Sequence, residues 1–315
     1  MRDSWADPVR WCHISAITGS ILWLVLMGAL PVSGDDISTA TYLTLLALLV
    51  VAPLTIGLAA PSPAAPRRLF WLAVAIQPAA SLLAVTSFYV PSGSLAALLM
   101  LGWLLLCAIG ALLGCERLYR RGRRIEEVCI GVGLLLLPIA GVWLYQARAE
   151  GIPGGGGALL AAMNAHYALF ATPVLAGMVG RVLPPGRTWR WLTFRAAACG
   201  IIVGTPLLII AGTVAPSLDV VARAILAAAL LALALLTILV VAPRTRPFLA
   251  AGLLSVSSVT MLLPLYLAWT GASGALAGVG SANGAPTPTS HGVANALGFV
   301  LCGLLAWSII RPAAR

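Results

Sequence analysis

Long apolar runs, separated by short polar links, follow one another along the whole chain. Most runs are near the roughly 20 residues that an α-helix needs to cross a bilayer, and such a helix satisfies its own backbone hydrogen bonds in lipid. The pattern predicts an all-α fold, a polytopic transmembrane helical bundle of about ten helices. We place these helices at residues 12–30, 40–60, 69–90, 94–114, 125–147, 158–180, 192–213, 217–242, 247–270 and 291–310.

Four prolines fall inside the predicted helices, at Pro78, Pro173, Pro206 and Pro264. An internal proline persists in lipid where neighbouring groups satisfy the carbonyl that it frees, so these positions are candidate kinks that line a cavity. Proline is also frequent in membrane helices without any special role. No stretch is long enough for a separate soluble domain, and we predict a single transmembrane domain over residues 1–315.

The basic residues predict the orientation of the bundle. In a ten-helix arrangement, 17 of the 19 basic residues fall on one side, and only Arg148 and Arg223 fall on the other. Because positive charge accumulates in cytoplasmic loops, both termini are predicted to be cytoplasmic. The alternative for the first helix is a cleaved signal peptide, for which residues 32–34 offer a poor cleavage site.

Composition agrees with a multi-pass protein of a bacterial cell membrane. The chain is 61% hydrophobic and only 9% charged, whereas soluble domains carry about 25% charged residues. The net charge of +10 is scattered over short links, which indicates contact with anionic lipid rather than with nucleic acid. The six cysteines include no CxxC pair, which argues against disulfides and a thiolate metal site.

Ionisable side chains at membrane depth are costly, so they are the first candidates for function. His166 lies in the helix predicted at 158–180, and His291 opens the last helix. Asp219 shares a helix face with Arg223 and can pair with it. With Glu150, these residues are the candidate catalytic groups: His166, Asp219, Glu150 and His291.

Further polar and aromatic side chains lie in the same predicted outer third of the protein. We expect them to contact the substrate: Asn164, Tyr167, Asn295, Trp143, Tyr145 and Trp269. The alternative for the aromatic residues is an ordinary interfacial belt, and the alternative for the histidines is hydrogen bonding between helices. We predict that His166, Tyr167 and Asn295 line one outward-opening pocket, with His291 at its rim and Asp219 or Glu150 within reach.

Several familiar chemistries are absent from the sequence. It has no HExxH, Walker glycine loop, GxSxG or DDxxD motif. Two histidines and a carboxylate can bind zinc, but they lie on different predicted helices without a supporting spacing, so we predict neither a metal nor a cofactor. Glu126 and Glu127 lie at the inner start of the fifth predicted helix and are predicted to pair at the surface with cytoplasmic arginines.

Two segments, AHYALFATPVLAGMVGR from Ala165 to Arg181 and HGVANALGFVLCGLLAW from His291 to Trp307, resemble signatures of the YndJ-like family of bacterial membrane proteins. The resemblance covers about a third of the chain. The first family segment typically reads close to HFHYAGF. Here Asn164 replaces its first histidine and Leu169 stands where a glycine is usual.

The lead hypothesis is a membrane-embedded enzyme that performs acid–base chemistry on a lipophilic small molecule taken from the bilayer. By analogy with membrane proteins of similar size in actinobacterial biosynthetic clusters, the reaction would be proton-initiated cyclisation of a prenyl or epoxy-prenyl chain, as in a terpene cyclase. Asp219 or Glu150 would be the acid, and His166, Tyr167, His291 and Asn295 would orient the substrate or take the final proton.

Two other functions compete with catalysis. A transporter or proton-coupled permease would use the intramembrane histidine and carboxylate as a relay, and kinked helices suit alternating access. The concentration of polar groups on one side of the midplane argues against it, because transport needs a path on both sides. The third hypothesis is a non-catalytic sensor or assembly subunit. The sequence does not determine the oligomeric state.

Overall fold

The computed structural model describes residues 7–29, 36–60, 68–150, 157–186, 188–276 and 292–312. Within these ranges the chain forms ten helices and no β-strand, which confirms the predicted all-α class. Eight of the described helices are long and apolar enough to cross a membrane. The protein is therefore a multi-pass membrane protein. The cytoplasmic placement of both termini stays a prediction.

The helices lie close to the predicted ranges, and we number them in chain order. They are α1 Pro8–Ala29, α2 Asp36–Leu46 continuing through Ala47–Val51 and Ala52–Leu58, α3 Arg68–Ser87, α4 Ser94–Arg121, α5 Ile125–Ala149, α6 Gly157–Val182, α7 Trp189–Thr213, α8 Asp219–Arg244, α9 Phe248–Leu276 and α10 Ala294–Ile310.

Two helices extend well beyond their predicted ends. Helix α4 continues to Arg121, where Glu116 and Arg120 form an ion pair of 2.9 Å one turn apart. Such pairs stabilise exposed parts of a helix. Helix α9 continues to Leu276 through small residues that we had expected to form the next link. Apolar length alone does not mark where these helices end.

Four of the described helices contain a π-helical segment, in which each turn holds an extra residue. The segments are Ala47–Val51, Ala165–Ala171, Thr237–Val241 and Ala294–Leu301.

Three of these segments end two residues before a proline, at Pro53, Pro173 and Pro243. Proline lacks an N–H and its ring collides with the carbonyl four residues earlier. A widened π turn relieves this collision, and π segments are frequent at functional sites.

Two compact units make up the described chain. The first unit consists of Met1–Gly122 with Ile130–Val174, and the second consists of Arg123–Cys129 with Leu175–Pro312. The prediction of a single transmembrane domain stays a prediction.

Helix α2 is the most enclosed helix of the first unit. In its apolar stretch 94% of the residues are buried, whereas the corresponding share in α1 is 17%. Helix α3 packs lengthwise on α4. Glycines permit close helix approach: the backbone of α1 at Gly19 meets the carbonyl of Leu49 in the π segment of α2. Small residues at such crossings are typical of membrane helix packing.

In the second unit, α7 packs on α8, and α9 packs on both α8 and α10. A small cavity of about 20 Å³, with Thr237, Ser257 and Ser258 in its wall, lies within this unit. That volume holds about one water molecule. The cavity is therefore too small to be a binding site for a larger substrate.

Candidate functional site

The π segment Ala165–Ala171 of α6 places His166 and Tyr167 in the interior of the first unit. The two side chains are neighbours in sequence, yet His166 is 0% exposed and Tyr167 is 2% exposed. The Thr172 hydroxyl donates to the carbonyl of Tyr167 at 2.9 Å. The same carbonyl also accepts from the backbone N–H of Thr172, so backbone and side chain of one residue both bond to the widened turn just before Pro173.

The hydrogen bond of His166 determines which ring nitrogen carries the proton. Nδ1 lies 2.8 Å from the carbonyl oxygen of Ala162. A carbonyl oxygen can only accept, so Nδ1 is protonated and donates. A full charge at this depth is strongly disfavoured, and in the neutral ring Nε2 is then an acceptor. No hydrogen-bond partner for Nε2 occurs among the described residues.

Trp103 of α4 is the aromatic neighbour of this histidine. The ring centroids lie 5.6 Å apart at an interplanar angle of 40°, and the indole is also 0% exposed. Its Nε1, which can only donate, is likewise without a partner in the described part of the chain. The contact between Trp103 and His166 therefore contains a buried donor, the indole N–H, and a buried acceptor, Nε2 of the imidazole.

The depth of this pair follows from helix geometry. His166 lies nine positions after Gly157, and Trp103 lies nine positions after Ser94, each counted from the start of its helix. At 1.5 Å per residue both lie about 14 Å from these helix ends. Both ends are on the predicted outer side, so the pair lies near the middle of the predicted membrane.

Contacts with α2 and α5 hold α6 in position. The Tyr167 hydroxyl donates to the carbonyl of Leu43 in α2 at 2.7 Å. Gly133 of α5 approaches the π segment so closely that a Cβ there would lie 2.6 Å from the carbonyl oxygen of Phe170. The Tyr167 contact satisfies a buried hydroxyl, and the glycine lets the two backbones meet.

The other predicted site residues of the first unit are more exposed. Asn164 is exposed on α6, Trp143 and Tyr145 are half-buried on α5, and Glu150 is exposed just after α5. The backbone N–H of Glu150 donates to the carbonyl of Gln146 at 2.9 Å. Of the predicted site residues in this unit, only His166 and Tyr167 are buried together.

The remaining predicted residues belong to the second unit. Asp219 begins α8 and pairs with Arg223 at 2.7 Å, which confirms the predicted pairing of these two residues. Asn295 is half-buried in the π segment of α10. His291 and the Trp269 side chain lie outside the described residues. A pocket shared by His166, Tyr167 and Asn295 therefore stays a prediction.

The prediction of surface charge pairing is wrong for Glu127. Its carboxylate accepts from Nε and Nη2 of Arg181 at 2.8 and 3.2 Å, and the two side chains are 1% and 3% exposed. Glu126 beside it is 4% exposed. The ion pair joins the start of α5 to the end of α6 inside the second unit, a long-range contact that local charge counting does not reveal.

Sequence reasoning also missed Trp103 and a buried chain of polar groups in the first unit. Ser15 donates to Gln77 at 2.6 Å, Gln77 donates to the Ser81 hydroxyl at 2.9 Å, and Ser81 donates to the carbonyl of Leu48 at 2.8 Å. The sequence could have indicated Trp103, because it lies about as many residues from the start of its helix as His166 does from the start of its own. Gln77 was visible as an amide amid apolar residues.

The sequence profile of the YndJ-like protein family matches residues 42–299. The chain belongs to this family. The match includes parts of both units and the residues His166, Trp103 and Tyr167. It shows the family to which the resemblance of the two segments pointed.

One curated YndJ-like relative comes from Bacillus subtilis (strain 168) and carries the name "Uncharacterized membrane protein YndJ". It is 28% identical over 299 residues, which cover 92% of this chain and 52% of the relative. The chain thus spans about half the length of that relative. No solved structure matches the chain.

Proposed function

We propose that this YndJ-like protein is a membrane-embedded enzyme that performs acid–base chemistry on a lipophilic substrate. The observation that carries the proposal is the neutral His166 ring, fully buried at membrane depth with Nε2 free to accept and Trp103 against it. His166 orients the substrate or takes its final proton. A dry, enclosed setting strengthens the electrostatic interactions of such a group with the substrate and keeps water away from reactive intermediates.

The reaction that we favour is proton-initiated cyclisation of a prenyl or epoxy-prenyl chain. A proton adds to the epoxide oxygen or the alkene, the C–O bond or π bond breaks, and neighbouring π electrons form a new C–C bond. Loss of one proton from carbon then restores neutrality, so the product is an isomer of the substrate. The Trp103 ring is in contact with His166, and an aromatic face can stabilise a cation of this kind.

The initiating proton is proposed to come from Glu150 or Asp219. The Asp219 carboxylate is paired with Arg223, and the Asp219 side chain is 37% exposed. An ion-paired carboxylate has no proton to donate, so this role requires the pair to open. Glu150 is exposed and belongs to the same unit as His166. Asp219→Asn and Glu150→Gln therefore separate the two candidates.

The proposal is tested with the purified protein in detergent, incubated with prenylated epoxides and analysed by mass spectrometry. We expect cyclised isomers, and His166→Ala should lower the rate about 100-fold or more. His13→Ala is the matched control, because His13 lies in α1 outside this site. Gel filtration of each variant separates loss of folding from loss of chemistry. A folded wild-type protein that converts none of the substrates would eliminate the cyclase.

One observation favours a transporter as the second candidate. The polar chain from Ser15 through Gln77 to Ser81 reaches the middle of the predicted membrane, because Gln77 lies nine positions, about 14 Å, after Arg68 at the predicted inner end of α3. Buried polar groups therefore approach the middle of the predicted membrane from the inner side as well as from the outer side. Uptake of a small molecule into proteoliposomes that is lost in Gln77→Leu, with no product in the cyclisation assay, would favour transport over catalysis.

A further inference from the structure

Two buried nitrogens with opposite hydrogen-bonding needs lie in one aromatic contact. Nε1 of Trp103 can only donate, whereas Nε2 of His166 can only accept because Nδ1 donates to Ala162. Neither nitrogen has a partner among the described residues, and neither side chain is exposed. A buried polar atom without a hydrogen-bond partner is costly, so a group that satisfies both nitrogens would be bound selectively.

We infer that the Trp103–His166 contact binds the hydroxyl group of a lipophilic alcohol, which accepts from Trp103 Nε1 and donates to His166 Nε2. This inference rests on the proposed function and names the group that His166 orients. One hydroxyl oxygen can accept one hydrogen bond and donate another, each about 2.9 Å long. The two rings that carry the nitrogens are in contact, with their centroids 5.6 Å apart.

The chemistry of the two nitrogens excludes most other polar groups. A carbonyl, ether or epoxide oxygen accepts from the indole but has no hydrogen for the imidazole. An ammonium group donates but cannot accept. A hydroxyl does both at a single atom. In the proposed cyclisation, the epoxide oxygen becomes such a hydroxyl once it is protonated and its ring opens, so the same contact would hold the oxygen of the product.

The depth of the pair indicates the source of the hydroxyl. Both residues lie about 14 Å from the predicted outer ends of their helices, a depth within the hydrocarbon of a bilayer. A long-chain alcohol dissolves at this depth, whereas water does so poorly. Because both side chains are fully enclosed, neighbouring side chains must move to admit the ligand. The alcohol therefore enters from the lipid phase.

Equilibrium binding to the full chain in detergent tests the inference, with radiolabelled farnesol, farnesyl methyl ether and farnesene as probes. The three probes share one hydrocarbon chain, and only farnesol both donates and accepts at one oxygen. We expect farnesol to bind about tenfold more tightly than the ether, because the ether leaves His166 Nε2 unsatisfied. Farnesene should bind no more tightly than the ether.

Three variants locate the preference at this contact. Trp103→Phe removes the donor, and His166→Asn keeps a donor for Ala162 but lacks an atom at the Nε2 position, so each should reduce the preference to about twofold or less. His166→Gln places an amide near the Nε2 position and should retain most of it. Trp307→Phe, at a fully buried tryptophan of the second unit, is the matched control.

The outcomes separate this inference from the proposed function. Equal binding of the three probes, absence of measurable binding, or a preference that survives both Trp103→Phe and His166→Asn would overturn the inference. Turnover of epoxides without any preference for alcohols would overturn it while the enzyme stands. A preference that these variants abolish, in a protein that makes no cyclised product, would support the hydroxyl site and remove the cyclase.

Discussion

Buried polar side chains of the first unit mostly donate to backbone carbonyls near helix ends or widened turns. Arg148 donates through Nη2 to the carbonyls of Ser87 and Val90 at 2.6 and 2.8 Å. Arg117 similarly donates to the carbonyls of Ala59 and Ala60 at the end of α2. Carbonyls without helical partners need such donors in lipid. Nε2 of His166 differs from these donors, because it can only accept a hydrogen bond and a backbone carbonyl can only accept as well.

At the residue scale, Glu127→Gln should strongly destabilise the second unit. The substitution removes the carboxylate that pairs with the buried guanidinium of Arg181, and breaking a buried pair costs about 3–5 kcal/mol. Glu116→Gln is the matched control, since Glu116 pairs with Arg120 at the surface, where a pair contributes at most about 1 kcal/mol. Unfolding in mixed detergent and SDS measures both variants. A similar loss of stability in the two variants would contradict the prediction that the buried pair contributes more than the surface pair.

Helix shape depends on where proline and glycine fall within the apolar runs. The π segments before Pro53, Pro173 and Pro243 absorb the collision that each proline ring would cause in a regular helix. The segment before Pro173 buries His166 beside Tyr167. Glycines then allow a neighbouring helix to approach these segments, as Gly133 does at Phe170.

At the element scale, Gly133→Ala should destabilise the packing of α5 on α6. The added methyl would lie 2.6 Å from the carbonyl oxygen of Phe170, so a backbone must shift, and overpacking of this kind costs about 1–3 kcal/mol. Gly252→Ala is the control, because nothing lies within 4 Å of its Cβ; alanine should stabilise that helix slightly. SDS-unfolding midpoints that move equally in both variants would refute the close approach.

The whole molecule is a multi-pass YndJ-like membrane protein, and its arginines predict its orientation in the membrane. The basic residues of the described links, such as those between α4 and α5, alternate with links that carry few. This alternation predicts that the link before α4 faces outward and the link after it faces the cytoplasm.

Cysteine labelling tests that orientation at the scale of the whole chain. In a variant without its six native cysteines, Ser92→Cys and Arg123→Cys place exposed thiols on the two sides of α4. A membrane-impermeant maleimide added to intact spheroplasts should label position 92, and position 123 only after lysis. Labelling of position 123 in intact spheroplasts would reverse the predicted orientation.

Fold class and helix positions were readable from the chain because the length of an apolar run and its flanking charges reflect the thickness and polarity of the bilayer. His166 and Tyr167 were also readable, because polar groups are conspicuous in such runs. The pairing of Glu127 with Arg181, the Trp103 contact and the exposure of Asn164 required the tertiary structure. A membrane helix is apolar on its lipid face and its protein face alike, so hydropathy does not mark the face that packs inward; only helix–helix packing decides it.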